Sequence, residues 1–327
     1  MVMKCVQTRP SAWRSIALFV LTASTASVHA GSNDGHAPHP LHGIGTGAAV
    51  RAPQADTIFL DGFEWPNAGT TGAPRGLALT NQSAPMNTGL VIAVDNTVVD
   101  AINLSGWIDV QANNVVIQNS IITSNNWWGI KYESGYTGLK VVRNTITSVA
   151  GLGPDNGGYD YGVSPLGNGS MEVAYNDISG FKDAVDVATG NVHDNYMHDL
   201  SQFTGAHTQD VYVWCGGSGV TLLHNTMLNQ TAQVYSTAAL YVAPDCGSQN
   251  NVTVQNNWLA GGSLVLYGGG STATDIRVLD NAFSTAIWSP DGGFNGTVGY
   301  WSGGNSGNVW SGNFWGDGPN VGQPVTP

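Results

Sequence analysis

Eight copies of one short triplet decide what this chain can fold into. Each copy has an apolar residue, an asparagine three positions later, and a second apolar residue two positions after that. The asparagines are Asn119, Asn144, Asn176, Asn195, Asn225, Asn257, Asn281 and Asn313. Ahead of them stand Val116, Val141, Val173, Val192, Leu222, Val254, Val278 and Trp310. Behind them stand Ile121, Ile146, Ile178, Met197, Met227, Leu259, Phe283 and Trp315. Successive copies are 19 to 32 residues apart, the period of solenoid repeats whose length variation falls in loops. The apolar members read as short strands pointing into a shared core, with the asparagine at the bend between them. Asparagine tolerates the left-handed backbone of a sharp bend, and stacked amides can hydrogen-bond from coil to coil.

Composition agrees with many strands and tight turns. Only 10% of the 327 residues are charged, too few for a long solvated helical protein, and 42% are hydrophobic, too many for disorder. The 44 glycines suit frequent turns.

The first 30 residues read as an export leader. Lys4, Arg9 and Arg14 precede the apolar stretch IALFVLT, and Val28-His29-Ala30 places small residues before a cut at Gly31. That stretch is too short to span a bilayer. The expected protein is therefore secreted, outside the cytoplasm, with no membrane partner. Cleavage leaves seven basic against 22 acidic residues, a formal −15 against −12 for the whole chain, which excludes nucleic acid as a partner. Cys5 leaves with the leader, and Cys215 and Cys246 follow equivalent apolar runs, so a disulfide between them is expected.

The organisation expected is a leader over 1–30, a linker and N-terminal extension over 31–76, a β-helix domain over 77–320 and a tail over 321–327, in a monomer. His36, His39 and His42 in the linker read as a solvated tract, and no chemistry attaches to IFLDGFE at 58–64.

A third strand per coil is expected from GIKYE (129–133), DAVDV (183–187), DVYVW (210–214), AALYV (238–242) and SLVLY (263–267). Alternation sends Ile130, Val185, Val211 and Leu240 inward and Lys131, Asp186, Tyr212 and Tyr241 outward. The same parity sends Asp210 outward, about 8 Å from Asp186. Trp128, Tyr161, Trp214, Tyr241 and Tyr267 gather on this face or on the loop leading into it, and aromatic side chains suit the C–H faces of sugars. The glycine-rich loop 151–162 is expected to border the groove.

The combination GAHTQDVYVWCGGSGVTLLHNTM, STAALYV, LVLYGGG and NVWSGNFW resembles secreted bacterial proteins of the pectate-lyase-like superfamily, over about residues 80–318. The resemblance implies an all-β, single-stranded, right-handed parallel β-helix with a polysaccharide groove on one sheet. Where that group often carries G-S-H-N-D-G, this chain keeps His207 but has Gln209 in place of the acid and Asp210 one position later.

Three functions follow. The first is a polysaccharide lyase acting on a uronate chain by β-elimination. Asp183, Asp186 and Asp210 would hold Ca²⁺ through hard oxygen ligands, and Lys131, Lys182, His207 or Tyr212 would act as base. The second is an inverting hydrolase with Asp186 and Asp210 as the acid pair. The third is a non-catalytic glycan-binding solenoid. The paired-aspartate motifs of polygalacturonases do not occur in this sequence.

Overall fold

The structure, a computed structural model, describes residues 64–149, 151, 159–245 and 247–327. The leader, the His36–His42 tract, most of the 58–64 segment, most of the 151–162 loop and Cys246 lie outside the described residues. No helix occurs among the described residues. Their strands form three sheets of ten, nine and nine strands, and the chain visits them in the order first, second, third, then first again. Every pairing between consecutive coils is parallel, so the fold is a parallel β-helix.

Apolar columns fill the interior, as the triplets require. In the third sheet Ile117, Val141, Val173, Val192, Leu222, Val254 and Val278 stack in register. In the first sheet Ile122, Ile146, Ile178, Met197, Met227, Leu259 and Phe283 do the same. Nearly all are fully buried.

Between these two columns runs the asparagine ladder. From Asn144 to Asn281, each asparagine donates both its backbone N–H and its Nδ2 to the Oδ1 of the next coil's asparagine, at 2.8–3.1 Å. The same Nδ2 also donates to a third-sheet carbonyl of the preceding coil, for example Asn225 to Val192 at 2.9 Å.

Two details differ from the sequence expectation. The left-handed residue of each bend is not the ladder asparagine but the residue before it: Arg143, Tyr175, Asp194, His224, Asn256 and Asp280 have φ of 50–56°. The ladder asparagine instead turns its amide inward, where the neighbouring coils supply most of its partners. The first copy is also shifted by one residue. Asn119 takes the left-handed position (φ 53°) and donates to Asp100, while Ser120 fills the ladder place and its N–H meets Asn144 Oδ1 at 3.0 Å. Ile117 and Ile122, not Val116 and Ile121, are the fully buried members there.

Both ends of the domain fold back on the coil. The end of the extension packs along it, with Trp65 against His224 and Trp258 (ring centroids 5.5 and 5.9 Å) and Gly72 N donating to Tyr175 O. The tail packs on the last coil: Trp310 Nε1 donates to Val325 O at 2.7 Å, and Val325 is buried. His224 holds Asp194 Oδ1 at 2.6 Å.

Candidate functional site on the second sheet

The five longer strands of the second sheet, from Trp128–Tyr132 to Ser236–Val242, each have a break in their alternation, and that break builds the site. In Asp183–Val187, Ala184 and Val185 both belong to the hydrophobic core, while Asp183 and Asp186 flank them. The pattern is therefore out, in, in, out, and residues three apart share the outer face. Register extends it into two outer columns. One runs Trp128, Tyr161, Asp183, Gln209. The other runs Asp109, Lys131, Ser164, Asp186, Tyr212, Tyr241, Tyr267. The expected neighbours Asp186, Tyr212 and Tyr241 thus stand side by side. Asp183 joins them on the outer face.

Asp210 does not join them. It is fully buried in the inward column of small residues, between the coils that contribute Ala184 and Ala239. Strict alternation back from Tyr212 misplaced it, because the break falls between Asp210 and Val211. Burial pushes its pKa well above the ordinary carboxylate value, and the Leu228 backbone amide of the first sheet offsets only part of this. No side chain among the described residues pairs with either carboxyl oxygen. Burial thus favours the neutral form of Asp210 inside the coil, and the pair Asp186–Asp210 does not share a face. Nor do Asp183, Asp186 and Asp210 converge as one Ca²⁺ ligand set.

The acids that do share the face are covered. Asp183 and Asp186 are 2% and 1% exposed. Burial raises the Asp183 pKa to about 6, with the Lys182 ammonium 3.1 Å away opposing the rise. Burial alone would lower the Lys182 pKa, but Asp183, Tyr161, Asp160 and Asp186 hold it above the ordinary lysine value. Lys182 therefore stays protonated, which suits it to balancing Asp183 and not to abstracting a proton. Ser164 Oγ donates to Asp186 Oδ2 at 2.8 Å, which fixes the orientation of that carboxyl group.

Aromatic rings lie on both sides of this centre. Toward the N-terminal coils, Trp128 packs between Trp107 and Tyr161 at centroid distances of 6.1 Å each, with Trp127 edge-on at 5.9 Å. Lys131 lies over Trp107 and Trp128, 3.7 Å from Asp109 and in contact with Glu133; Lys182 lies 4.9 Å from the Tyr161 ring centre. Toward the C-terminal coils, Tyr212, Tyr241, Tyr267 and Tyr300 follow one another at 5.5, 4.8 and 5.1 Å. Tyr241 Oη donates to Asp245 at 2.9 Å.

Of the other expected residues, His207 is exposed on the approach to strand Thr208–Val213, its Nδ1 3.5 Å from Thr237 Oγ1. Trp214 is half-buried past the end of that strand, off the tyrosine line. Cys215 Sγ lies 3.4 Å from Tyr212 Oη. Trp107, Asp109, Ser164 and Tyr300 do not stand out in the sequence as members of this face, and Gln209 stands out only as a replacement for an acid. The repeated outward pair three residues apart was the available signal for Ser164 and Gln209, visible once Trp128/Lys131 and Asp183/Asp186 are aligned.

No family model matches the chain, and no curated protein matches it. Among solved structures it is similar to the catalytic domain of Agl-KA, with a TM-score of 0.39 and 15% identity over 67% of this chain. The match spans 46% of that structure, just under half of its length.

Proposed function

We propose that this chain is a polysaccharide hydrolase acting outside the cytoplasm, with its glycan laid across the outer face of the second sheet and its acid–base pair formed by Asp183 and Asp186. The observation that carries this is the order along the face: tryptophans and a tyrosine, then two buried carboxyl groups, one beside Lys182 and one beside Ser164, then four tyrosines. Asp183, raised toward neutrality by burial, is the proton donor to the glycosidic oxygen. Asp186, held in place by the Ser164 hydroxyl, takes a proton from the water that attacks the anomeric carbon. The bond from that carbon to the glycosidic oxygen breaks, the oxygen leaves with the Asp183 proton, and the water's hydroxyl stays on the sugar. Three strand residues place the two Cα atoms at most roughly 10 Å apart, compatible with the separation of inverting enzymes, where a water fits between the acids. Lys182 lies across Asp183, so substrate must displace its ammonium before the proton is reached.

The runner-up is β-elimination, favoured by the placement of Lys131 and Lys182 on the same face as the acids and by the family resemblance. One experiment separates the readings: incubation with a panel of neutral and acidic polysaccharides, with and without Ca²⁺. Hydrolysis gives new reducing ends without ultraviolet-absorbing unsaturated ends, and Asp183→Asn and Asp186→Asn each reduce it by about 10²-fold or more. Unsaturated ends would replace this reading with a lyase. Retention without any cleavage would make the chain a glycan-binding module.

A further inference from the structure

The family resemblance implies a uronate chain as ligand, but the charges on the second-sheet face oppose one. Asp109, Glu133, Asp160, Asp183 and Asp186 surround two ammonium groups, and neither ammonium is available. Lys131 sits between Asp109 and Glu133 beneath Trp107 and Trp128, with 16% of its side chain exposed. Lys182 is committed to Asp183 and Tyr161 and is 19% exposed. Further along, Asp245 accepts from Tyr241. A sugar carboxylate would meet carboxylates and ring faces within a few ångströms, inside the screening length of about 8 Å at physiological salt. A neutral sugar meets the same groups favourably: hydroxyls donate to carboxylates, and C–H faces pack on rings.

The tyrosines add a direction. Tyr212, Tyr241, Tyr267 and Tyr300 advance one coil at a time along the helix axis, with centroid steps of 4.8–5.5 Å, comparable to one ring of an extended pyranose chain. The last of them, Tyr300, is 59% exposed.

We infer that the second-sheet face takes a neutral polysaccharide running along the helix axis, about one sugar ring per coil, with the tyrosine line as its binding track. This rests on the proposed glycan-acting function and names its substrate class. The test is affinity electrophoresis of the full chain in gels containing a neutral glucan, xylan, galactan or mannan, each before and after partial carboxymethylation, in low salt. At least one neutral polymer should retain the protein about 10-fold more strongly than its carboxymethylated form, with the difference shrinking as salt is added. Tyr300→Ala, at an exposed position that leaves the fold intact, should weaken that retention. Equal or stronger retention by the carboxymethylated form, retention by no neutral polymer, or indifference to Tyr300→Ala each overturns the inference. Product analysis on the retained polymer reads the hydrolytic proposal separately: retention without cleavage keeps the substrate class and removes the reaction, whereas cleavage with a preference for the charged form does the reverse.

Discussion

At the bend from the third sheet into the first, the buried asparagines pair with one another from coil to coil. At the start of the second sheet, the inward column holds a carboxylic acid without a side-chain partner among the described residues, and the outer columns hold two more carboxyls that are almost fully covered. Both regions bury polar groups at the same step of each coil, yet one is uniform over seven coils and the other changes residue type at nearly every coil. A ladder works only if each member repeats, because each Oδ1 is the acceptor for its neighbour. A face that meets a ligand has no such constraint along the axis. The difference separates the part of the molecule that holds the coil together from the part available for chemistry.

The sharpest way to break the ladder is from its middle. Asn225→Leu deletes the acceptor for both donors of Asn195 and the donor to Val192 O and Leu223 O, all inside the coil. Several buried groups lose their partners at once, so stability should fall by on the order of 3–5 kcal/mol. Urea unfolding of the variant beside the wild type checks this. A loss below about 1 kcal/mol would mean that the neighbouring coils re-pair around the gap.

At the other bend the same kind of change should have the opposite sign. Asp210 stands in a column whose other members are Gly129, Gly162, Ala184 and Ala239. The column faces the first sheet: a methyl at Gly129 would touch Ile146, and one at Gly162 would touch Ile178. Asp210→Ala restores the column's usual size and removes an acid whose charged form burial disfavours. An acid whose folded pKa lies above its unfolded value destabilises the fold once pH exceeds the unfolded value. At neutral pH the variant should therefore be more stable, by about 1–3 kcal/mol, and its turnover unchanged. A destabilised variant would show that Asp210 has a partner, and a stable but inactive one would return it to the acid pair.

The ladder was legible in the sequence because its chemistry repeats: seven of the eight triplets mark true ladder asparagines. The first was misread by one residue because a serine can accept and donate at that place and a neighbouring asparagine, Asn119, supplied a false match. The outward positions of Lys131, Asp186, Tyr212 and Tyr241 followed from period-two alternation, which holds on the C-terminal side of each break. Asp183 and Asp210 were out of reach of that rule because they lie on the other side, where two consecutive inward residues reset the parity. Burial was also hidden. A sequence shows that Asp186 points outward, but not that Ser164 from the preceding coil caps it.

The first sheet carries a third arrangement of buried charge, intermediate between the other two. His198 is paired on both sides, to Asp177 at 2.9 Å and Asp199 at 2.7 Å, and stacked on Tyr196 at 4.1 Å. Burial works against its charged form, but the two carboxylates outweigh it and raise its pKa from 6.5 to about 9. The folded value lies above the unfolded one, so the stabilisation is fully present below about pH 6.5 and is lost as pH rises through about 9. Asp199 is mostly exposed, so the pair's contribution is discounted for solvent screening to about 1–2 kcal/mol. Unfolding free energies between pH 6 and 10 should fall for the wild type by about that amount and stay flatter for His198→Gln, which keeps a hydrogen-bonding side chain but cannot carry the charge. Parallel curves would mean that His198 is neutral in the folded protein. The cluster would then resemble the asparagine ladder, held by hydrogen bonds alone, and would lose its place between the two extremes.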